Sequence, residues 1–258
     1  MQIFFTLLLS GSSTLLNMEQ GLTARQTQIL KALIDEYIGT ACPVGSEALE
    51  KKYSLSVSPA TIRNEMARLT KNGYLHQPHT SSGRVPTPRA MKFYVGQLME
   101  ERQMSLTDEV KAKEEVWDKR KNLHDLLEEA TQSLAHCTQS LAVATLDEGK
   151  MWHSGYSHVF VYPEFSNVIA TANFFSLIEE VSQMQEIFFK RMTGDSPVEV
   201  VFGEDLGWPD LGYIGFVGSR FNVQGHDCAL GVVGTTRLSY PTVVPVVRYF
   251  RKLIQEIA

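Results

Sequence analysis

The chain has 258 residues, 43% hydrophobic and 21% charged, a balance that excludes a wholly disordered or collagen-like chain. The three cysteines, Cys42, Cys137 and Cys228, are far apart and form no Cys-x-x-Cys spacing, which excludes a disulfide-stapled miniprotein and fits a reducing, cytoplasmic setting. The net charge of −5 is unevenly spread: residues 22–98 hold ten Lys and Arg against five Asp and Glu, and residues 99–258 hold fourteen against twenty-three. A basic front joined to an acidic body points to a polyanion-binding module with a separate second part.

Residues 1–21 begin with an apolar stretch, MQIFFTLLLSGSSTLL, that has no Lys or Arg before it and no run long enough to span a bilayer. They are expected to be disordered or to belong to an over-long assigned start, with Met18 as an alternative first residue. No membrane association is expected.

The next segment, 22–98, is readable element by element. Thr23 and Gln26 make a capping-box pattern, and Ile29, Leu30, Leu33, Ile34, Tyr37 and Ile38 follow at helical spacing. Ser46 opens a short second helix over about 47–53. Ser58 caps a third helix whose first position is Pro59, whose buried stripe is Ile62, Met66 and Leu69, and which Gly73 ends. Residues 74–77 and 84–86 predict a hairpin around a polar tip, and Pro88 opens a fourth helix. Helix, short helix, turn, capped helix and hairpin make a winged helix-turn-helix.

In that pattern the third helix enters the DNA major groove. Its outward residues near the start are Ser58, Thr61, Arg63 and Asn64. Arg suits bidentate contact with guanine and Asn with adenine, while hydroxyls at a helix start suit phosphate. The hairpin adds His79, Thr80, Ser81, Ser82 and Arg84 as candidate contacts to the minor groove or backbone. Taken singly, each has an ordinary structural role available. Together, in this order and with the local positive charge, they point to double-stranded DNA.

At residues 99–145 the chain is expected to form a long linker helix. Leu123, Leu127, Ala130, Leu134, Cys137 and Leu141 are spaced 4, 3, 4, 3, 4, a heptad seam that fits either pairing of two chains or packing within one. The stretch 108–121 reads as a solvated connecting helix. Residues 146–258 alternate in type: a strand at 158–163, a helix over 174–192, strands at 198–202, 211–218 and 228–234, and a closing helix from Tyr240. The fold class is α+β, with an antiparallel sheet carrying helices on one face.

The residues also carry a family resemblance. PVGS (43–46), ATIRNEMARL (60–69) and GYLHQPHTSSGRVPT (73–87), with VYPEF (161–165) and GVVGTTRLSYPTVVPVVRYF (231–250), resemble the heat-inducible transcription repressor family HrcA. The resemblance implies a repressor of chaperone operons that binds an inverted-repeat operator as a homodimer, loses activity on heat stress, and is maintained by a GroEL-type chaperonin. It also implies that 146–258 is a GAF-like domain. This chain is shorter than the family's usual length, so the first half of that domain and its inserted dimerisation domain are expected to be missing or much reduced.

Signals for catalysis are weak, and no enzyme, cofactor or metal is expected. There is no Walker A loop, G-x-S-x-G or H-E-x-x-H. His76 and His79 lie at the start of the hairpin, where phosphate contact or plain exposure outweighs metal binding. His226-Asp227-Cys228 resembles a fragment of a nucleophile site, but Cys228 opens a strand, where a buried structural thiol is the commoner case. Gly212, Gly215 and Gly218 do not precede a helix and so do not make a dinucleotide site. Arg237 is expected to hold the turn before the last helix, against Glu204 or Asp205. Two other classes of function stay open: a winged-helix adaptor for protein partners, and a small-molecule-sensing regulator built on the C-terminal half.

Overall fold

A computed structural model describes residues 21–208 and 211–258. The expectation for the first 20 residues lies outside them. The fold is mixed helix and antiparallel sheet, and the chain divides into two compact units. One holds the described residues up to Tyr37 together with Cys42–Ala90, and the other holds Ile38–Ala41 and Met91–Ala258.

The first unit is built on three helices, α1 (Ala24–Thr40), α2 (Ser46–Lys52) and α3 (Pro59–Lys71), followed by strands β1 (Leu75–His76) and β2 (Val85–Pro86). The capping box at the start of α1 forms: the Thr23 N–H donates to Gln26 Oε1 at 3.0 Å, and the Gln26 N–H donates to Thr23 Oγ1 at 3.3 Å. Ile29, Leu30, Leu33 and Ile34 of α1, Leu49 of α2, and Ile62 and Leu69 of α3 are wholly buried and form this unit's core. Gly73 ends α3 with φ +75°, a backbone region that favours glycine. Strands β1 and β2 pair antiparallel, Leu75 with Pro86 and His76 with Val85. Helix α4 (Pro88–Phe93) follows and runs on as a π turn over Tyr94–Leu98.

The second unit corrects the expected linker. Residues 99–145 form no continuous helix. Helix α5 (Leu106–Trp117) and helix α6 (Leu123–Thr138) are separate, and Leu141–Leu146 is strand β3. Ser105 and Asn122 cap the two helices through their side chains, and each cap is a fresh start rather than a continuation. Helix α6 ends at Gln139, which takes the left-handed conformation (φ 49°) usually left to glycine. The predicted heptad seam is spent within the chain: Leu127, Ala130 and Leu134 are wholly buried, and α6 packs on β3 and β4 (Met151–Ser154).

The sheet has five strands in the order β4-β3-β7-β6-β5, all antiparallel, with β5 (Glu199–Phe202), β6 (Ile214–Val223) and β7 (His226–Thr235). Two strands ahead of residue 155 were not foreseen; they supply one side of the sheet. Helices cover both faces, not one. Leu141, Val143, Ile214, Phe216, Ala229 and Val233 pack with Phe174, Ile178, Met184 and Phe188, which come from α7 (Val168–Glu179), α8 (Val181–Gln185) and the π turn Glu186–Arg191. Helices α6 and α9 (Tyr240–Ile257) pack on the opposite face. Burial on both sides explains why every residue of β3 is buried and why its sequence shows no polar alternation.

The strand expected at 158–163 is absent. Two 3-10 turns, Tyr156–Val161 and Pro163–Ser166, occupy that stretch. Gly155 precedes them at φ +89°, where a Cβ would lie 2.4 Å from the Ser140 carbonyl oxygen, so the chain is forced to turn there. The helix expected over 174–192 is broken at Glu180, which is extended (φ −83°, ψ 101°), into α7, α8 and the π turn.

Candidate nucleic-acid interface

Helix α3 is held in place by polar contacts that its sequence only partly advertises. Ser58 Oγ accepts the Thr61 N–H at 3.3 Å and lies 3.1 Å from Thr61 Oγ1, so the two hydroxyls form one cluster at the helix start. Pro59 sits at the first helical position, where no N–H is needed. From the inner face, Glu65 is buried and accepts from Gln26 Nε2 at 2.9 Å and Arg68 Nη1 at 3.3 Å. The residue that caps α1 thus also locks α3 to it. Locking the inner face leaves Arg63 and Asn64 exposed on the outer one, and Arg63 makes no ion pair among the described residues.

The hairpin tip is ordered by side-chain bonds to its own backbone. Ser82 Oγ donates to the His79 carbonyl at 2.7 Å, and the His79 N–H donates to Ser82 Oγ at 3.0 Å. Gln77 Nε2 spans the tip, donating to the carbonyls of Thr80 at 2.8 Å and Ser82 at 2.9 Å. His79, Thr80 and Ser81 remain exposed.

Arg84 sits at the base of the hairpin, not its tip. Its backbone exchanges two 2.8 Å hydrogen bonds with Val44, and its Nε donates to Thr70 Oγ1 at 3.2 Å. Thr70 in turn donates to the Met66 carbonyl at 2.9 Å. The side chain therefore ties the hairpin to the last turns of α3. Gly83 makes the approach possible, because a Cβ there would lie 2.4 Å from the Val44 carbonyl oxygen.

Between the start of α2, the outer face of α3 and the hairpin lies an open cleft of about 500 Å³. It brings together Arg63, Thr80, Ser81, Ser82 and Arg84 with Ser46, Glu47 and Gln77. Ser58, Thr61, Asn64 and His79 do not line it. Sequence reading passed over Gln77, Glu47, Thr70 and the Gln26–Glu65 lock. Gln77, three residues from Thr80 across a proline, was the one with a local signal.

The other sequence signals resolve as structure. Cys228 is wholly buried, and burial, with the charges of Asp147 and Asp227 behind it, pushes its thiol up to about 12, so it is no thiolate at neutral pH. Arg237 pairs with Glu164, not with Glu204 or Asp205: Nε lies 2.6 Å from Oε1 and Nη2 2.7 Å from Oε2. Asp205 instead meets Lys92 at 2.7 Å. Among the described residues no cluster of His, Cys, Asp and Glu is suited to a metal, and no helix is long and apolar enough to cross a membrane.

A family model described as the HrcA protein C-terminal domain matches residues 91–244. A heat-inducible transcription repressor HrcA of Carboxydothermus hydrogenoformans is 26% identical over 334 aligned positions, covering 90% of this chain and 97% of that protein. The alignment is longer than the chain, so the relative carries internal sequence with no counterpart here. Proteins of the same name from Synechococcus elongatus (46% identical over 129 residues) and Desulforudis audaxviator (42% over 125) match about half of this chain, and this chain spans 36% of each of them. A crystal structure described only as that of a hypothetical protein shares the fold, with a TM-score of 0.67 at 15% identity over 92% of this chain and 97% of its own.

Proposed function

The chain belongs to the HrcA family, and on that footing we propose that it is a transcription repressor that binds an operator in double-stranded DNA through its first unit. The first unit is read as a winged helix, with α3 as the recognition helix and β1–β2 as the wing. The observation that carries the reading is the outer face of α3: Arg63 and Asn64 stand exposed beside a cleft that also gathers Arg84 and the hydroxyls of Thr80, Ser81 and Ser82.

Each side chain then has a role its chemistry suits. Arg63 reads guanine and Asn64 adenine in the major groove. Ser58 and Thr61, at the positive end of the helix, meet phosphate. The tip from His79 to Ser82 follows the backbone or minor groove, and Arg84 holds the wing against α3 while its remaining N–H groups face the same cleft.

The protein acts in the cytoplasm as a homodimer on an inverted repeat, with two recognition helices in successive major grooves about 34–36 Å apart in the simplest spacing. The second unit is read as a shortened GAF-like body. Occupation of the operator blocks transcription of chaperone genes. Domains of this kind are stable by only about 5–15 kcal/mol, so heating depletes the DNA-competent fraction, and a GroEL-type chaperonin restores it. Fluorescence anisotropy of the full chain on inverted-repeat and scrambled duplexes across a salt series tests the reading. Repeat-dependent binding supports it, and equal, steeply salt-dependent binding to both duplexes refutes operator recognition.

A further inference from the structure

Helix α5 presents an apolar stripe to solvent. Its inner face is used: Ala112 and Val116 are buried, Ser133 Oγ donates to Glu115 Oε2 at 2.8 Å, and Tyr249 Oη donates to the Glu109 carbonyl at 2.8 Å. The outer face is left to solvent, apart from the Arg120 guanidinium stacked 4.3 Å from the Trp117 ring centroid. Leu106 is 80% exposed, Val110 56% and Trp117 43%, at positions i, i+4 and i+11 of one helix face. Lys113 and Glu114 complete that face at i+7 and i+8; both are exposed and neither is ion-paired among the described residues. A stripe of this kind on a charged helix marks a surface that a partner covers.

The charge order says which partner. If two copies of α5 lie antiparallel about a two-fold axis passing between Lys113 and Glu114, each Lys113 faces Glu114 of the second copy. Each Val110 then faces Trp117 of the second copy. The pattern reads the same in both directions, which an isologous contact requires. A parallel pairing would set Lys113 against Lys113 and Glu114 against Glu114.

We propose that α5 is a self-pairing surface, and that two copies of this chain dimerise by antiparallel packing of their Leu106–Val110–Trp117 faces. The inference rests on the homodimer in the repressor reading and gives it a location. It replaces the α6 seam, whose leucines are buried within one chain. The helix is roughly 18 Å long at 1.5 Å rise per residue, so the contact is small and the association belongs in the micromolar range, where operator binding by both halves would reinforce it.

The test is reciprocal charge reversal in the full chain, read by sedimentation velocity across the micromolar range. Lys113→Glu and Glu114→Lys should each weaken self-association at least tenfold, because each places like charges across the axis twice. The double variant K113E/E114K should restore it, since the pairs re-form with their signs exchanged. Both positions are exposed, and unchanged circular dichroism confirms folding. A wild-type chain that stays monomeric, a dimer indifferent to both single reversals, or a double variant weaker than either single overturns the pairing.

DNA binding separates this outcome from the fate of the repressor reading. A chain that dimerises through α5 but ignores inverted-repeat DNA sinks the repressor and leaves the pairing. A chain that binds the repeat while both single reversals leave its dimer intact does the opposite.

Discussion

Replacing Glu164 by Gln asks how much the second unit depends on one buried ion pair. Arg237 is 5% exposed, and Glu164 holds it through two bonds of 2.6 and 2.7 Å while its guanidinium lies 5.6 Å from the Tyr162 ring. Gln keeps the shape of the side chain but removes the charge, leaving a nearly dry guanidinium without its carboxylate, held by the new amide oxygen and by the Ile38 carbonyl at 2.9 Å. Removing one partner of a buried pair costs about 3–5 kcal/mol. Glu164 keeps some contact with water, at 22% exposure, so the loss belongs at the lower end, about 3 kcal/mol. For a chain of this size that is roughly 6–12 °C in Tm. Urea unfolding followed by far-UV circular dichroism should show the midpoint fall with little change of slope.

The paired variant Glu164→Leu with Arg237→Met removes both charges and should recover most of the loss, because the cost lies in the uncompensated cation and not in the missing bonds. If Glu164→Gln costs less than about 1 kcal/mol, the pair behaves as an exposed one and the argument from burial is wrong.

Arg63→Ala should weaken operator binding by about 1–3 kcal/mol and relax sequence preference, measured by anisotropy on a panel of half-site variants. Arg84→Met keeps the length but loses the bond to Thr70; it should weaken all duplexes alike, with circular dichroism unchanged. Gly83→Ala should disrupt the Val44–Arg84 bridge, because the new methyl meets the Val44 carbonyl; NMR amide exchange at Val44 and Arg84 should speed up sharply. His153 is half-buried with Nε2 3.1 Å from the Ile178 carbonyl, and burial lowers its pKa below the ordinary value. The unfolded chain then binds the extra proton first. Stability from this group is therefore whole above the unfolded pKa of about 6.5 and falls on acidification below it. His153→Gln should flatten that limb of a stability-versus-pH curve, and an unchanged limb would refute the assignment.

The first unit was legible because its signals are local. A Thr–Gln capping box, a Ser-Pro helix start and a glycine stop each act within one turn, and each stands in the structure where the spacing puts it. The β3 strand was hidden for the same kind of reason in reverse. LAVATL follows α6 with no glycine or proline between, Gln139 makes the left-handed turn in glycine's place, and Leu141 happens to continue the heptad count. The run 156–163 is rich in β-branched and aromatic residues, yet it turns, because Gly155, at φ +89°, packs against the Ser140 carbonyl. Arg237 was rightly singled out as a buried cation, but its carboxylate is 73 residues away in sequence, beyond any spacing rule.

Helices α5 and α6 give the sharpest form of the difference. Both carry apolar residues at helical spacing, and the sequence left the α6 seam open between pairing two chains and packing within one, while reading α5 as a solvated connector. The structure decides between the two: α6 spends its stripe on the sheet, and α5 is the solvated one, keeping Leu106, Val110 and Trp117 in water. Periodicity fixes which face of a helix is to be covered, because burial of that face is what repays ordering it. It is silent on what does the covering, since a neighbouring sheet and a second chain present the same apolar surface. The charges flanking the stripe discriminate. Around α6 they face solvent at the rim of a closed core, whereas on α5 Lys113 and Glu114 sit in the middle of the exposed face, without an ion pair among the described residues, in an order that a reciprocal antiparallel pairing matches.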